Sequence, residues 1–234
     1  MTGWRSARRA GWRWGGRYRL RTPLGAMPYR VVRADPARPG QRRALVVGLH
    51  GYGSDERQIA TLLPLDLDAP FVYLALRAPL ADGSGFSWFS FSPVATASPL
   101  TVLSSPEDLH RAMERVRAFG LAAREAWQTR RAILVGYSQG GALAAHLAAG
   151  DPGPFSAIAA LSGGPLPSAS PRVPLFVGYG TRDPALSADA MRAALARLRA
   201  GGAEITASPS GAAHVVTARQ RADLSAWLAL ILTP

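Results

Sequence analysis

The sequence predicts an α/β protein: a single domain on a mostly parallel sheet, with helices on both faces and no large cap domain. Three observations carry that expectation. Short apolar runs alternate with longer amphipathic stretches, and Gly, Pro and Asp mark the junctions between them. The chain has 234 residues, 48% of them apolar, enough to bury one substantial core.

The elements follow in order. Tyr29–Val32 reads as an edge strand, followed by a turn through Asp35-Pro36-Ala37-Arg38-Pro39-Gly40. Ala44–Leu49 (ALVVGL) is apolar throughout, as expected of a strand covered on both faces. Asp55 can cap a helix running to about Leu63, and Phe71–Leu76 reads as the next strand. A loop through Asp82-Gly83-Ser84-Gly85 leads into the aromatic-rich segment Phe86–Phe91 and a Ser/Pro/Thr stretch. Ser105-Pro106-Glu107-Asp108 opens a long helix, with a capping hydroxyl, Pro at the first position and acids in the first turn. Arg131–Gly136 is a buried strand and Gly140–Ala149 the helix after it. Phe155–Leu161 and Pro174–Tyr179 read as strands, Ala188–Ala200 as an amphipathic helix, Glu204–Ala207 as a short strand and Thr217–Ile231 as the last helix.

The formal net charge of +12 is unevenly spread. Residues 1–43 hold 12 Arg against Asp35 alone, whereas residues 44–234 hold 15 Arg against 14 acids and are nearly neutral. Every basic residue is Arg, a bias of the whole chain and not evidence for a phosphate site. Residues 1–26, rich in Arg and Trp, have no apolar stretch of signal-peptide length. They read as a disordered leader, or as an extension before a start at Met27, with the globular domain at 27–234. With no cysteine there is neither disulfide nor thiolate site, which fits a cytoplasmic protein, and no window has the apolar length of a membrane span.

The segment Ala132–Gly141 (AILVGYSQGG) carries the chemistry. A strand running into G-x-S-x-G and then a helix has the pattern of a nucleophile elbow, in which the serine sits on a cramped turn and its neighbours two residues away lack bulk. Ser138 is the candidate nucleophile, with Gly136 and Gly140 flanking it. Its partners follow in the order acid, then base. Asp183 lies just past the strand Pro174–Tyr179, and His214 lies in the small-residue loop Ser210–His214 before the last helix. In that arrangement His214 takes the serine proton and Asp183 fixes the imidazole. His110 and His146 fall within helices and His50 precedes the nucleophile, so none suits the base. Leu49–Asp55 (LHGYGSD), after the first central strand, brings a glycine-bracketed backbone N–H near the elbow, where a tetrahedral oxyanion would form.

On the segments LHGYGSDE (49–56), GYSQGGALA (136–144), ALSGGPLP (160–167), GTRDP (180–184) and GAAH (211–214), the chain resembles the phospholipase/carboxylesterase family, which includes acyl-protein thioesterases and small bacterial carboxylesterases. The resemblance runs from about Ala44 onward. It implies a single-domain α/β-hydrolase, without metal or organic cofactor, that cleaves carboxylic ester or thioester bonds of small-molecule substrates through an acyl-enzyme. It further implies an oxyanion hole made by the backbone N–H groups of Tyr52 and Gln139. It places Phe86, Trp88 and Phe89 beside an acyl pocket, although on composition alone a packed structural hairpin fits those aromatics equally well. Two features depart from the family pattern: the Arg/Trp-rich leader, and GYGTRDP before the acid in place of the more usual His-Gly form.

Two other readings stay open at this level. One is a different acyl hydrolase, lipase-like or peptidase-like, on the same scaffold. The other is a non-catalytic binding module docked by its basic leader, which the complete Ser-Asp-His set argues against. No nucleic-acid partner is expected, and a homodimer is allowed.

Overall fold

The computed structural model describes residues 16–36, 43–63, 65, 67, 69–90, 92–94, 101–103 and 105–232. The first fifteen residues of the basic leader, part of the turn after Asp35 and most of the Ser/Pro/Thr stretch lie outside them.

Eight strands form one sheet in the order β1-β2-β4-β3-β9-β10-β11-β12. The six from β4 to β12 are parallel: β3 (Ala44–Leu49), β4 (Phe71–Leu76), β9 (Arg131–Tyr137), β10 (Phe155–Leu161), β11 (Leu175–Gly180) and β12 (Ile205–Ser210). The hairpin β1 (Arg17–Thr22) and β2 (Gly25–Ala34) adds two antiparallel strands at the β4 side. Alternate residues of the central strands feed opposite faces. Leu45, Val47 and Leu49 join one core with Val72, Leu74 and Leu76, while Val46 joins the other with Phe71 and Tyr73. Burial on both faces is why these strands are apolar throughout.

Five helices among the described residues close the layers. α2 (Pro106–Trp127), α3 (Gln139–Ala149) and α4 (Ala188–Ala200) cover the first face through Phe119, Leu143, Leu147 and Leu195. α1 (Glu56–Leu62) and α5 (Ala218–Leu232) cover the second through Ile59, Leu224, Trp227 and Leu228. The helix starts read from the sequence have their caps: Asp55 accepts from the Arg57 N–H at 2.8 Å and Ser105 from the Asp108 N–H at 3.0 Å. Two short hairpins, β5 (Leu80–Asp82) with β6 (Gly85–Ser87) and β7 (Ser92–Val94) with β8 (Thr101–Leu103), interrupt the alternation. No helix among the described residues is long and apolar enough to cross a membrane.

The N-terminal region corrects two expectations. The fold begins before Met27, and Tyr29–Val32 lies in a strand that is second from the sheet edge; β1 is the edge. In Arg17-Tyr18-Arg19-Leu20-Arg21-Thr22 the arginines are exposed, Leu20 is buried, and Tyr18 and Thr22 are half-buried, a period-two pattern hidden inside a charge run. Arginines on an edge strand also discourage pairing with other chains. Tyr18 packs against Tyr29 with the rings tilted, Tyr29 meets the edge of Phe119 on α2, and burial pushes the Tyr29 phenol up to about 12.

Arg17 also reaches a buried ion pair. Glu56, 1% exposed, accepts from Arg77 at 2.6 and 2.8 Å, and Arg17 Nε lies 3.1 Å from the same carboxylate. Burial alone would raise the Glu56 pKa, but the Arg77 hydrogen bonds and the two positive charges outweigh it and hold it below the ordinary 4.5. A carboxyl whose folded pKa is depressed contributes stability that is full above the unfolded value and lost as pH falls through the folded one. The expected result for Glu56→Gln is therefore a lower Tm than wild type at neutral pH, with the gap closing below about pH 4. Thermal unfolding across that range checks this, and a gap that stays constant would contradict it.

Candidate active site

Between β9 and α3 the chain turns at Ser138, with φ 54° and ψ −117°, a left-handed backbone that a non-glycine residue adopts only under strain. The surrounding backbone enforces it. The Ser138 N–H donates to the Leu161 carbonyl at 2.8 Å, a Cβ on Gly136 would come within 2.0 Å of the Gly140 carbonyl, and one on Gly140 within 2.6 Å of the Leu49 and His50 carbonyls. The elbow needs glycine at both places because backbone lies where a side chain would begin.

The structure brings Ser138, His214 and Asp183 together. Ser138 Oγ lies 2.9 Å from His214 Nε2, and His214 Nδ1 lies 2.7 Å from Asp183 Oδ2. The Asp183 side chain is fully buried, and its second oxygen accepts the Ala185 N–H at 2.8 Å, which fixes the carboxylate plane. An ionised carboxylate only accepts, so Nδ1 carries the proton and Nε2 is left to accept from the serine hydroxyl. The histidine loop is strapped to the end of β11. The Thr181 N–H donates to the Ser210 carbonyl, the Arg182 N–H to that of Ala212 and the Arg182 guanidinium to that of Gly211. A Cβ on Gly180 would come within 2.2 Å of the Ala213 carbonyl. Thus the Gly-Tyr-Gly-Thr-Arg run that departs from the family pattern supplies the contacts that place the acid and the histidine loop side by side. Tyr137 adds a further tie, its hydroxyl donating to the His214 carbonyl at 2.8 Å. Burial and the Asp183 charge raise its pKa, keeping that donor protonated.

The loop after β3 lies against the nucleophile: a Cβ on Gly51 would sit 3.2 Å from the Ser138 Cβ. Buried His50 holds this loop. Its Nε2 accepts the Ala78 N–H at 3.1 Å and its Nδ1 donates to the Gly51 carbonyl at 2.7 Å, which specifies a neutral ring; burial pushes its pKa down, consistent with that state. Gln58 accepts the Gly51 N–H at 2.8 Å, and the Trp88 indole donates to the His50 carbonyl at 2.8 Å. Tyr52 follows, its phenol bonded to Asp82, which also accepts from Ser87 Oγ at 2.7 Å. Gln139 is the first residue of α3, so its N–H has no acceptor within the helix. Its side chain spans the Trp88 N–H and Phe89 carbonyl at 2.9 Å each, docking the aromatic segment on the elbow.

A cavity of ≈ 500 Å³ opens at Ser138 and His214. The three aromatics expected beside it separate. Phe89 lines it. Trp88 is buried behind the loop as the His50 partner, and Phe86 packs beneath the Arg77 guanidinium, 4.4 Å from its ring, as part of the β5-β6 hairpin. One aromatic of the segment therefore faces the cavity and two build its support. The remaining wall comes from Ala142, Ser162, Gly164 and Pro165, which lie inside the motif segments, and from Leu109, His146, Ala185 and Leu186, which lie outside them. Ala142 and His146 fall one helical turn apart on α3, a spacing visible in sequence, but no local pattern reveals which helix face meets the cavity.

A family model described as phospholipase/carboxylesterase matches residues 34–231. A comparison with curated protein sequences finds no match. Among solved structures, esterase PE8 is 26% identical with a TM-score of 0.68, covering 92% of this chain and 100% of its own. A carboxylesterase from Mesorhizobium loti is 22% identical with a TM-score of 0.70 (92% of this chain, 99% of that one), and an acyl-protein thioesterase 2 from Zea mays is 21% identical with a TM-score of 0.67 (88% and 99%). The last two likenesses speak for the fold. With its family model spanning the six parallel strands and both flanking helix layers, the chain belongs to the phospholipase/carboxylesterase family and is an α/β-hydrolase enzyme.

Proposed function

We propose that this hydrolase cleaves carboxylic esters, and by the same carbonyl chemistry thioesters, through a Ser138–His214–Asp183 triad and an acyl-enzyme. The observation that carries the reading is the unbroken hydrogen-bond chain from Asp183 to Ser138, ending at the mouth of a largely apolar cavity. His214 accepts the Ser138 proton as Oγ attacks the carbonyl carbon, and returns it to the leaving alcohol or thiol. Water then repeats the cycle on the acyl-enzyme. The Tyr52 and Gln139 backbone N–H groups stabilise the oxyanion at each tetrahedral stage, and the N-terminus of α3 adds its dipole. The relatives named esterase and carboxylesterase are consistent with this reading.

The test is turnover of short-chain p-nitrophenyl esters with parallel labelling by a fluorophosphonate probe. Hydrolysis together with a labelled peptide containing Ser138 is expected; absence of both would sink the proposal. Tyr52 gives a finer check. Its phenol reaches Asp82 while its backbone N–H faces the reacting centre in this reading, so Tyr52→Phe releases the anchor and keeps the donor. The expected outcome is a kcat lower by up to about tenfold, less than the 10²–10³ that loss of a whole oxyanion donor costs, with KM little changed. A change in KM alone would contradict this.

A further inference from the structure

The cavity wall holds two polar side chains that the triad does not use and that have no hydrogen-bond partner among the described residues: the Ser162 hydroxyl, next to the elbow, and the imidazole of His146, farther along the wall. Gln139, Ala142 and His146 form a stripe at helical spacing along α3, and all three line the cavity. The stripe starts beside Ser138 and runs away from it. His146 lies eight residues on, about 12 Å along the helix axis at the level of the backbone, and its side chain leans back toward the nucleophile. Ala142, between them, is small and leaves the path open.

Of the other polar side chains of the wall, two are committed elsewhere and one lies at the reacting end, away from the far end of an acyl chain. The Gln139 amide is committed to Trp88 and Phe89, the Tyr52 phenol to Asp82, and Ser162 follows directly on Leu161, whose carbonyl takes the Ser138 N–H, so it sits at the reacting end. Phe89, Leu109, Pro165 and Leu186 make the rest apolar. Building on the esterase reading above, we propose that His146 is a specificity-determining residue that hydrogen-bonds an uncharged oxygen carried on the acyl chain, so that the enzyme prefers hydroxyacyl esters of medium length to plain alkanoyl ones.

The physical case is one of matching. Burial lowers the His146 pKa, so the ring is neutral and can both donate to and accept from a hydroxyl. A plain alkyl chain of sufficient length strips water from the imidazole and gives nothing back, which penalises that substrate. A carboxylate at the same point would be desolvated without a counter-ion, because no Arg lines the cavity among the described residues.

The experiment compares kcat/KM for p-nitrophenyl ω-hydroxyhexanoate and hexanoate, each normalised to acetate, which is too short to reach His146. It uses the native protein, His146→Leu and His146→Gln. The expected hydroxyacyl-to-alkanoyl ratio is above one in the native enzyme, falls by about tenfold or more in His146→Leu, and stays within about threefold of native in His146→Gln, which keeps a neutral donor and acceptor. A native ratio at or below one, a ratio unchanged in His146→Leu, or a His146→Gln that behaves like leucine overturns the proposal. The same ratio read as dissociation constants for the methyl esters, with Ser138→Ala and the Ser138→Ala/His146→Leu double variant, decides the role of His146 without turnover. A native protein that hydrolyses neither ester would instead count against the esterase reading.

Discussion

Replacing Ser138 with Ala is expected to lower kcat for ester hydrolysis by about 10³–10⁶-fold and to leave the fold intact. In the proposed mechanism the magnitude follows from the loss of the nucleophile itself: with no Oγ no acyl-enzyme can form, and only the weak catalysis available from binding and oxyanion stabilisation remains. The fold survives for a local reason. Alanine keeps the Cβ, so the strain of φ 54° is the same, and the backbone bond from residue 138 to the Leu161 carbonyl is untouched. Ester turnover and fluorophosphonate labelling measured side by side with the native protein check this. Persistent turnover by Ser138→Ala would remove the proposed mechanism, whatever its hydrogen bonds look like.

The second large effect is on stability. Deleting residues 1–26 removes β1 and with it all six of its register pairs with β2, buried Leu20, the Tyr18–Tyr29 ring contact, and the Arg17 arm of the Glu56 ion pair. Burying one leucine is worth about 2 kcal/mol, and the lost ladder, ring contact and exposed β2 edge bring the total to roughly 3 kcal/mol or more. For a chain of this size that corresponds to a Tm lower by about 6–12 °C. The protein that remains folded is expected to keep its ester turnover, since β1 lies at the sheet edge and contributes nothing to the cavity wall. Thermal unfolding of this deletion beside a shorter one ending before Gly16 isolates the part due to β1. Equal Tm values for the two would show that the strand carries no stability.

The triad segment shows how much a sequence can reveal when chemistry is confined to short runs. G-x-S-x-G after an apolar strand, an acid just past another strand and a histidine before the last helix are local signals, because each residue stands where its own strand or loop ends at the same edge of the sheet. The supporting contacts were less legible. Gln220, on α5, bonds the carbonyls of Tyr179 and Ser208 at 3.1 and 2.9 Å and so ties β11 to β12 just below Asp183 and the histidine loop. It reads in sequence as an ordinary polar helix residue. His50, Gln58 and Gln139 likewise acquire their parts only when strands far apart in the chain bring their loops together. β1 is the opposite case: its period-two pattern is local, but it lies within a charge run whose composition equally fits disorder.

By itself, then, the sequence determined the α/β class, most strand and helix positions, and the candidate Ser138, Asp183 and His214, because hydrophobic period, helix caps and glycine-bracketed turns are all properties of neighbouring residues. Only the tertiary structure decided that β1 belongs to the sheet, that Phe89 faces the cavity while Trp88 and Phe86 support it, and that His146 stands in the wall. Those outcomes depend on which faces of separate elements meet, and packing between distant segments is written in no single stretch of chain.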